Sequence, residues 1–353
     1  MINMISHHPD FLESSLEKIL ETNPLGFIDV GSRGGVHGLI LPLASRSQCT
    51  CFEPDPVSYR ELTDMYRPTS PFSSLTIHQT ALGAGPAQAN LYVTKNPVNT
   101  SLLEPVQEIA SRYEIPGLCV DKVSSITTDS LDRVLAAEER VRPYAGEFIK
   151  LDCQGAEFDI LTTGARETLE KECVAVFCEV RFAPWYRNEK VFSEIDTCLN
   201  SKGFSLYGLQ PHFMSTRRLD RLECETEERL VWADALYFKD PLEAGREKGR
   251  APNRKIQALF LVALLTHYYD YAMEILEAFD WTKNDRKHLA SLVLFCSRNR
   301  KEALEGDADK LVKDLRENSA SKYLIAKKFI DAHRSNSDIN FLAIDHLLCS
   351  DPQ

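Results

Sequence analysis

The sequence predicts an α/β fold, a doubly wound and mainly parallel sheet, followed by an all-helical C-terminal segment. Three observations carry that expectation. Short runs rich in β-branched and aromatic residues alternate with helical patterns over the first part of the chain. A glycine-rich turn follows the first clear run. After Pro252, apolar residues recur only at helical spacing.

The runs expected as strands are Phe27-Ile28-Asp29-Val30, Gln48 to Glu53, Leu75 to Gln79, Glu147 to Asp152, Val174 to Glu179, Phe204 to Gly208 and Trp232 to Phe238. Helices between strands imply parallel neighbours, because a parallel pair needs a crossover connection. Ligands of such sheets bind at the carboxyl ends of the strands. The alternation weakens from Asn90 to Ser130, where Lys95 to Ser101 breaks the pattern and is expected as a loop insertion over the site. Residues 1–24 read as an N-terminal helical segment, 25–240 as the α/β domain and 241–252, with Pro, Gly and charge, as a linker. Residues 253–353 read as a helical domain. Its apolar positions include Ile256, Leu259, Phe260, Ala263 and Leu264, then Leu289, Leu292, Val293 and Cys296.

At 353 residues the chain can bury a sizeable core and a smaller second unit. Its formal charge of -11 disfavours nucleic acid and anionic membrane surfaces. Up to Asp240 there are 23 basic against 35 acidic side chains, and after it 18 against 17, so the acidity belongs to the α/β part. The ten cysteines are scattered and show no zinc spacing, which reads as reduced core thiols. The apolar run Ala258 to Leu265 is far short of the roughly 20 residues that span a bilayer. A cytoplasmic protein is expected.

Asp29-Val30-Gly31-Ser32-Arg33-Gly34-Gly35 sits between a strand and a helical pattern. Glycines there permit a tight turn and close approach to a ligand. The order departs from the GxGxxG of dinucleotide sites, and an acid at Asp29 suits an ammonium or sulfonium group better than a pyrophosphate. Cys51-Phe52-Glu53-Pro54-Asp55-Pro56 ends the next strand with an acid about twenty residues on, the spacing at which a carboxylate meets ribose hydroxyls. Ala81 and Leu82 follow the third strand and offer surface for an adenine ring. Lys150-Leu151-Asp152-Cys153-Gln154-Gly155-Ala156-Glu157 puts Asp152 at a central strand end, and Glu179 ends the next strand.

These segments resemble the FkbM-type methyltransferases, whose pattern runs D-V-G-A-N-x-G, F-E-P-x-P, A-L-x-x-x-x-G, T-L-D and K-I-D-x-E-G-x-E. They correspond here to Asp29 to Gly35, Phe52 to Pro56, Ala81 to Pro86, Ser130-Leu131-Asp132 and Lys150 to Glu157. The resemblance covers about Leu25 to Lys239. It implies a Rossmann-like class I methyltransferase fold, S-adenosylmethionine as donor, and O-methylation of a hydroxyl on a sugar, glycan or natural product. Arg33 stands where the family has Asn, Gln154 where it has an acid, and the helical tail lies outside the family core.

Combined, the residues and the resemblance assign donor binding to Asp29, Gly31, Ser32, Arg33, Gly35, Glu53, Pro54, Asp55, Ala81, Leu82 and Asp152. Asp152 is the first choice of general base, then Glu179, then His37 on the helix expected after the glycine turn. Asn99, Thr100, Ser101, Arg181, Trp185 and Tyr186 are assigned to the acceptor pocket, polar groups with aromatic walls. Asp152 and Glu179 could ligate a divalent metal, but Gln154 removes an acid and no metal is predicted. The apolar tail helices are a candidate homodimer surface. The alternative reading is a non-catalytic module that keeps the donor cleft and works through its tail.

Overall fold

The computed structural model describes residues 2–67, 69–137, 143–216, 227–243, 249–318 and 321–333. Strands β1 (Leu25–Val30), β2 (Ser47–Phe52), β3 (Ser74–His78), β7 (Phe148–Leu151), β8 (Ala175–Arg181), β9 (Ser205–Met214) and β10 (Arg229–Phe238) make one sheet in the order β3-β2-β1-β7-β8-β10-β9. The five strands from β3 to β8 run parallel, and β10 is antiparallel to both β8 and β9.

Side-chain alternation divides the core between the two faces of this sheet. Phe27, Phe148, Ala175 and Phe238 turn to one face, and Ile28, Ile149, Val176 and Tyr237 to the other. Because both faces are covered, every residue of β1, β2 and β7 is buried, including the polar Asp29, Gln48, Thr50 and Lys150. On the first face lies the helix Arg254–Leu265, with Ile256 and Ala258 to Leu265 all buried. From Ala258 onward it is apolar all round because it shares one core with the sheet, the helix Tyr269–Ala278 and the start of the helix Lys283–Glu317. Arg254 anchors its start, donating at 2.6 Å to both carboxylate oxygens of Glu147, which also accepts from Gly26 N.

One expectation is corrected and one element is added. Lys95 to Ser101 is a loop beside the crevice, with a short 3-10 turn at Pro97–Asn99, but it leaves a sheet that was not expected: β5 (Ala87–Thr94) and β6 (Val120–Asp129) pair antiparallel and, with the short β4 (Ala81–Leu82), form a second sheet ordered β4-β6-β5. It escaped notice because its strands are largely exposed and polar, so no buried face marks their period. After the glycine turn there is a 3-10 run, Gly38–Arg46, rather than an α-helix; Pro42 lies inside it, and His37 caps it.

The eight cysteines among the described residues are unbridged, while Cys224 and Cys349 lie outside them. Part of the stretch expected as a linker, 244–248, and the end of the tail, 334–353, also lie outside the described residues. No helix among the described residues is long and apolar enough to cross a membrane.

Candidate active site

The chain leaves β1 for β2 on one side and later places β7 on the other, so a crevice opens at the carboxyl ends of these three strands. Gly31 makes the junction. It has φ +78°, and a Cβ there would lie 1.9 Å from the carbonyl oxygen of Asp152, so a side chain would drive the β1 and β7 ends apart. Its N–H donates to Phe52 O at 3.0 Å, which ties the same turn to β2.

A cavity of about 180 Å³ occupies the crevice, with Gly31, Arg33, Glu53, Asp55, Leu82 and Asp152 among its walls. Pro54 and Ala81 also line it, and the loop from Pro97 to Leu102 forms a further wall. Glu53 is buried and accepts at Oε1 from Asp55 N at 2.9 Å. Burial pushes its carboxyl up from the ordinary value, against the hydrogen bond from Asp55. Among the described residues nothing donates to its Oε2. Asp55 in turn caps the helix Pro56–Tyr66 by accepting from Ser58 N at 2.9 Å, a structural duty that also fixes the Glu53 turn. Arg33 lines the cavity and reaches the loop by donating to Pro97 O at 3.3 Å.

Asp29, Ser32 and Gly35 do not border this cavity. Asp29 is fully buried, 3.0 Å from Lys150 Nζ, and accepts at Oδ2 from His37 N at 2.8 Å. The strand register explains the pairing, since Asp29 lies directly across from Lys150. Lys150 Nζ also donates to Gly31 O at 2.9 Å. Burial alone would lower the Lys150 pKa, but Asp29 and Asp152 together hold it above the ordinary value. Sequence reading missed Lys150. The available signal was a cation inside an otherwise apolar four-residue strand, which needs a buried partner.

Next to Asp152 the amide of Gln154 is used on both sides. Nε2 donates to Asp152 Oδ1 at 2.7 Å and to Glu179 Oε2 at 2.8 Å. Oε1 accepts from Arg181 Nη2 at 2.6 Å, and the Tyr186 hydroxyl lies 3.0 Å from it and 3.1 Å from Asn99 O, donating to one of the two. Gln154 has φ +58°, a left-handed conformation unusual for a residue with a Cβ. Glu157 pins that turn by accepting from Cys153 N at 2.8 Å and Gly155 N at 2.7 Å. Desolvation pushes the Glu179 carboxyl well above its ordinary range despite Arg181, whose Nη2 donates to it at 3.0 Å. Glu189, 3.4 Å from Arg181 Nε, is pushed up to about 7, again by burial.

Of the residues expected at the acceptor, Thr100 and Ser101 line the cavity. A second, larger cavity lies beside this one, bordered by His37, Asp152, Phe177 and Asp234 among others; Arg181, Trp185 and Tyr186 are buried and line neither. The Arg181 guanidinium lies 4.6 Å from the Trp185 ring centroid, so these side chains brace the Gln154 turn from beneath. The Asn99 carbonyl lies 3.1 Å from the Tyr186 hydroxyl, and Asn99 does not border the cavity. Glu179 borders neither cavity, whereas His37 and Asp152 meet at the larger one. His78 is half-buried and stacked on Phe52 with centroids 5.0 Å apart. Among the described residues no three His, Cys, Asp or Glu side chains are grouped to hold a metal ion.

No curated protein matches the chain. A solved chain from Thermoplasma acidophilum, provisionally described as a methyltransferase, is similar at 10% identity, over 62% of this chain and 70% of that one, with a TM-score of 0.30. The family profile described as Methyltransferase FkbM domain matches residues 29–206, just over half of the 353 residues and the span that holds every wall of the cavity. The chain therefore belongs to the FkbM methyltransferase family.

Proposed function

We propose that the chain transfers a methyl group from S-adenosylmethionine to a hydroxyl oxygen. The observation that carries this reading is the meeting of Glu53 and Asp152 across one cavity, with the Gly31 turn between them. A carboxylate at the end of the second strand, with Oε2 unengaged, is suited to accept from ribose hydroxyls. Phe52, Ala81 and Leu82 give apolar surface that fits a purine. When bound, the donor supplies a sulfonium methyl: the acceptor's O–C bond forms as C–S breaks, and that electron pair stays on sulfur.

The chain's own tasks are to position the acceptor, exclude water and take the hydroxyl proton. Asp152 fits the last task, since it borders both cavities and Gln154 fixes its orientation through Oδ1. His37 is less suited. Burial, with Lys150, lowers its pKa and keeps it neutral, and its Nδ1 accepts from Leu39 N at 3.4 Å. The proton of the neutral ring then sits on Nε2, which makes it a donor. Glu179 is held by Gln154 and Arg181 and serves to position them.

In this reading residues 25–240 carry donor binding and chemistry, 241–252 connect, and the helices described between Arg254 and His333 form a helical unit. Incubating the full chain with isotopically labelled donor and a panel of hydroxylated acceptors should give methyl ethers. Label appearing only on nitrogen or carbon would overturn the O-methylation assignment.

A further inference from the structure

A second cavity of about 780 Å³ has Asp152 as the one residue it shares with the walls of the first. That volume is within the range of about 300–1,000 Å³ usual for small-molecule sites. Its floor is a row of neighbours across four strands, Lys150, Phe177, Leu236 and Gly208. Its other wall is the connection Thr266 to Tyr271, between the helices Arg254–Leu265 and Tyr269–Ala278. Specific contacts hold that wall in place. Tyr268 donates to Tyr207 O at 2.8 Å and Tyr271 to Asp240 Oδ1 at 2.7 Å. A Cβ on Gly208 would lie 2.4 Å from the Tyr268 hydroxyl, so a side chain there would displace the Tyr268 ring from β9.

We propose that this cavity is the acceptor site and that its occupant is an uncharged polyhydroxylated ring of the sugar type. The helical segment, absent from the matched family span, then selects the acceptor. The assignment rests on the donor reading above, because Asp152 must face both molecules. Hydroxyl groups need acceptors, and Asp152 and Asp234 supply carboxylates two residues along their chain segments from Lys150 and Leu236, beside the apolar Phe177 and Leu236; Asp234 Oδ2 also lies 3.2 Å from His212 Nε2. That alternation suits a ring with hydroxyls at its edge and C–H groups on its face. Charge excludes anionic acceptors: Asp152, Asp234 and Asp270 line the cavity against Arg300 and a Lys150 already paired with Asp29.

Saturation-transfer NMR on the full chain, with a series of methyl hexopyranosides and the matching hexose 6-phosphates, tests the assignment. Two variants accompany it: Gln210→Trp, at an exposed β9 position whose enlarged side chain fills the cavity without entering the core, and Asp234→Asn. A glycoside should bind, the phosphate about tenfold more weakly, and each variant should weaken the glycoside about tenfold, the loss expected for a charged acceptor or a filled site. Donor affinity, measured by calorimetry, should stay within about twofold in both variants, since neither residue borders the first cavity. Glycoside binding unchanged in both variants, preference for the phosphate, or no glycoside bound by a chain that binds donor would each overturn the proposal. Glycoside binding sensitive to both variants, in a chain that binds no donor, would uphold this occupant and contradict the donor reading instead.

Discussion

The side-chain amide of Gln154 donates to Asp152 Oδ1 at 2.7 Å and, from the same nitrogen, to Glu179 at 2.8 Å. Two carboxylates on adjacent strand ends repel each other, and a shared amide donor separates their duties: Glu179 is drawn toward Arg181, and Asp152 is left facing the cavities. Gln154→Leu keeps the size but removes donor and acceptor together. It should cost about 1–3 kcal/mol of stability, as an unsatisfied buried Arg181 donor and two carboxylates remain. Turnover should fall further than donor affinity, which calorimetry and a labelled-methyl assay on one preparation would resolve.

Lys150 and Asp29 form a buried ion pair with a Nζ–Oδ1 distance of 3.0 Å. Removing one partner leaves the other charge uncompensated, which typically costs about 3–5 kcal/mol, whereas removing both costs less. Denaturant unfolding of Lys150→Met, Asp29→Asn and the double variant should therefore show the double variant more stable than Lys150→Met alone. Additive losses would mean that the two residues are energetically independent.

Much of the first cavity's lining was legible because each of its motifs is local. The segments around Gly31, Glu53 and Asp152 each carry a strand, a turn and a chemical group within a few residues, so their order placed them at strand ends before any contact was known. What was not legible depends on partners far along the chain. Asp29 read as a ligand carboxylate because nothing nearby in sequence reveals that Lys150 lies across from it. Arg181, Trp185 and Tyr186 read as pocket residues, while their burial arises from packing beneath residues 99 and 154. The second cavity depends on Thr266 to Tyr271 meeting β9 and β10, a juxtaposition that no periodicity records.

Glu189 gives a pH prediction whose sign follows from its environment. Its carboxyl is pushed from 4.5 up to about 7, chiefly by burial, so the folded state holds the proton more tightly than the unfolded state. Its contribution to stability is present below pH 4.5 and is lost as pH rises through about 7. Glu189→Gln mimics the protonated form. The stability difference between Glu189→Gln and wild type should grow in favour of the variant between pH 5 and 8, followed by urea unfolding at a series of pH values, with ~1.4 kcal/mol per pH unit as the limiting slope of one group. A pH-independent difference would show that this carboxyl does not titrate in the window.

Asp152→Asn preserves shape but cannot take a proton at neutral pH. As the proposed base it should lose about 10²- to 10⁴-fold in turnover at saturating substrates while donor affinity changes by less than about threefold. Equal losses in both quantities would instead assign Asp152 to donor binding.

The central claim, that the crevice beside Gly31 holds S-adenosylmethionine, is tested most directly by titrating the donor into wild type and Glu53→Ala in a calorimeter. Glu53 is the buried carboxylate of that cavity whose Oε2 accepts from no described residue, so its removal should take away hydrogen bonds to ribose hydroxyls and little else. The account predicts one site per chain in wild type and a dissociation constant raised by about 10- to 150-fold in the variant, equivalent to about 1.5–3 kcal/mol for a charged acceptor. No binding to the folded wild-type chain at millimolar donor, or equal affinity in the two proteins, would contradict it.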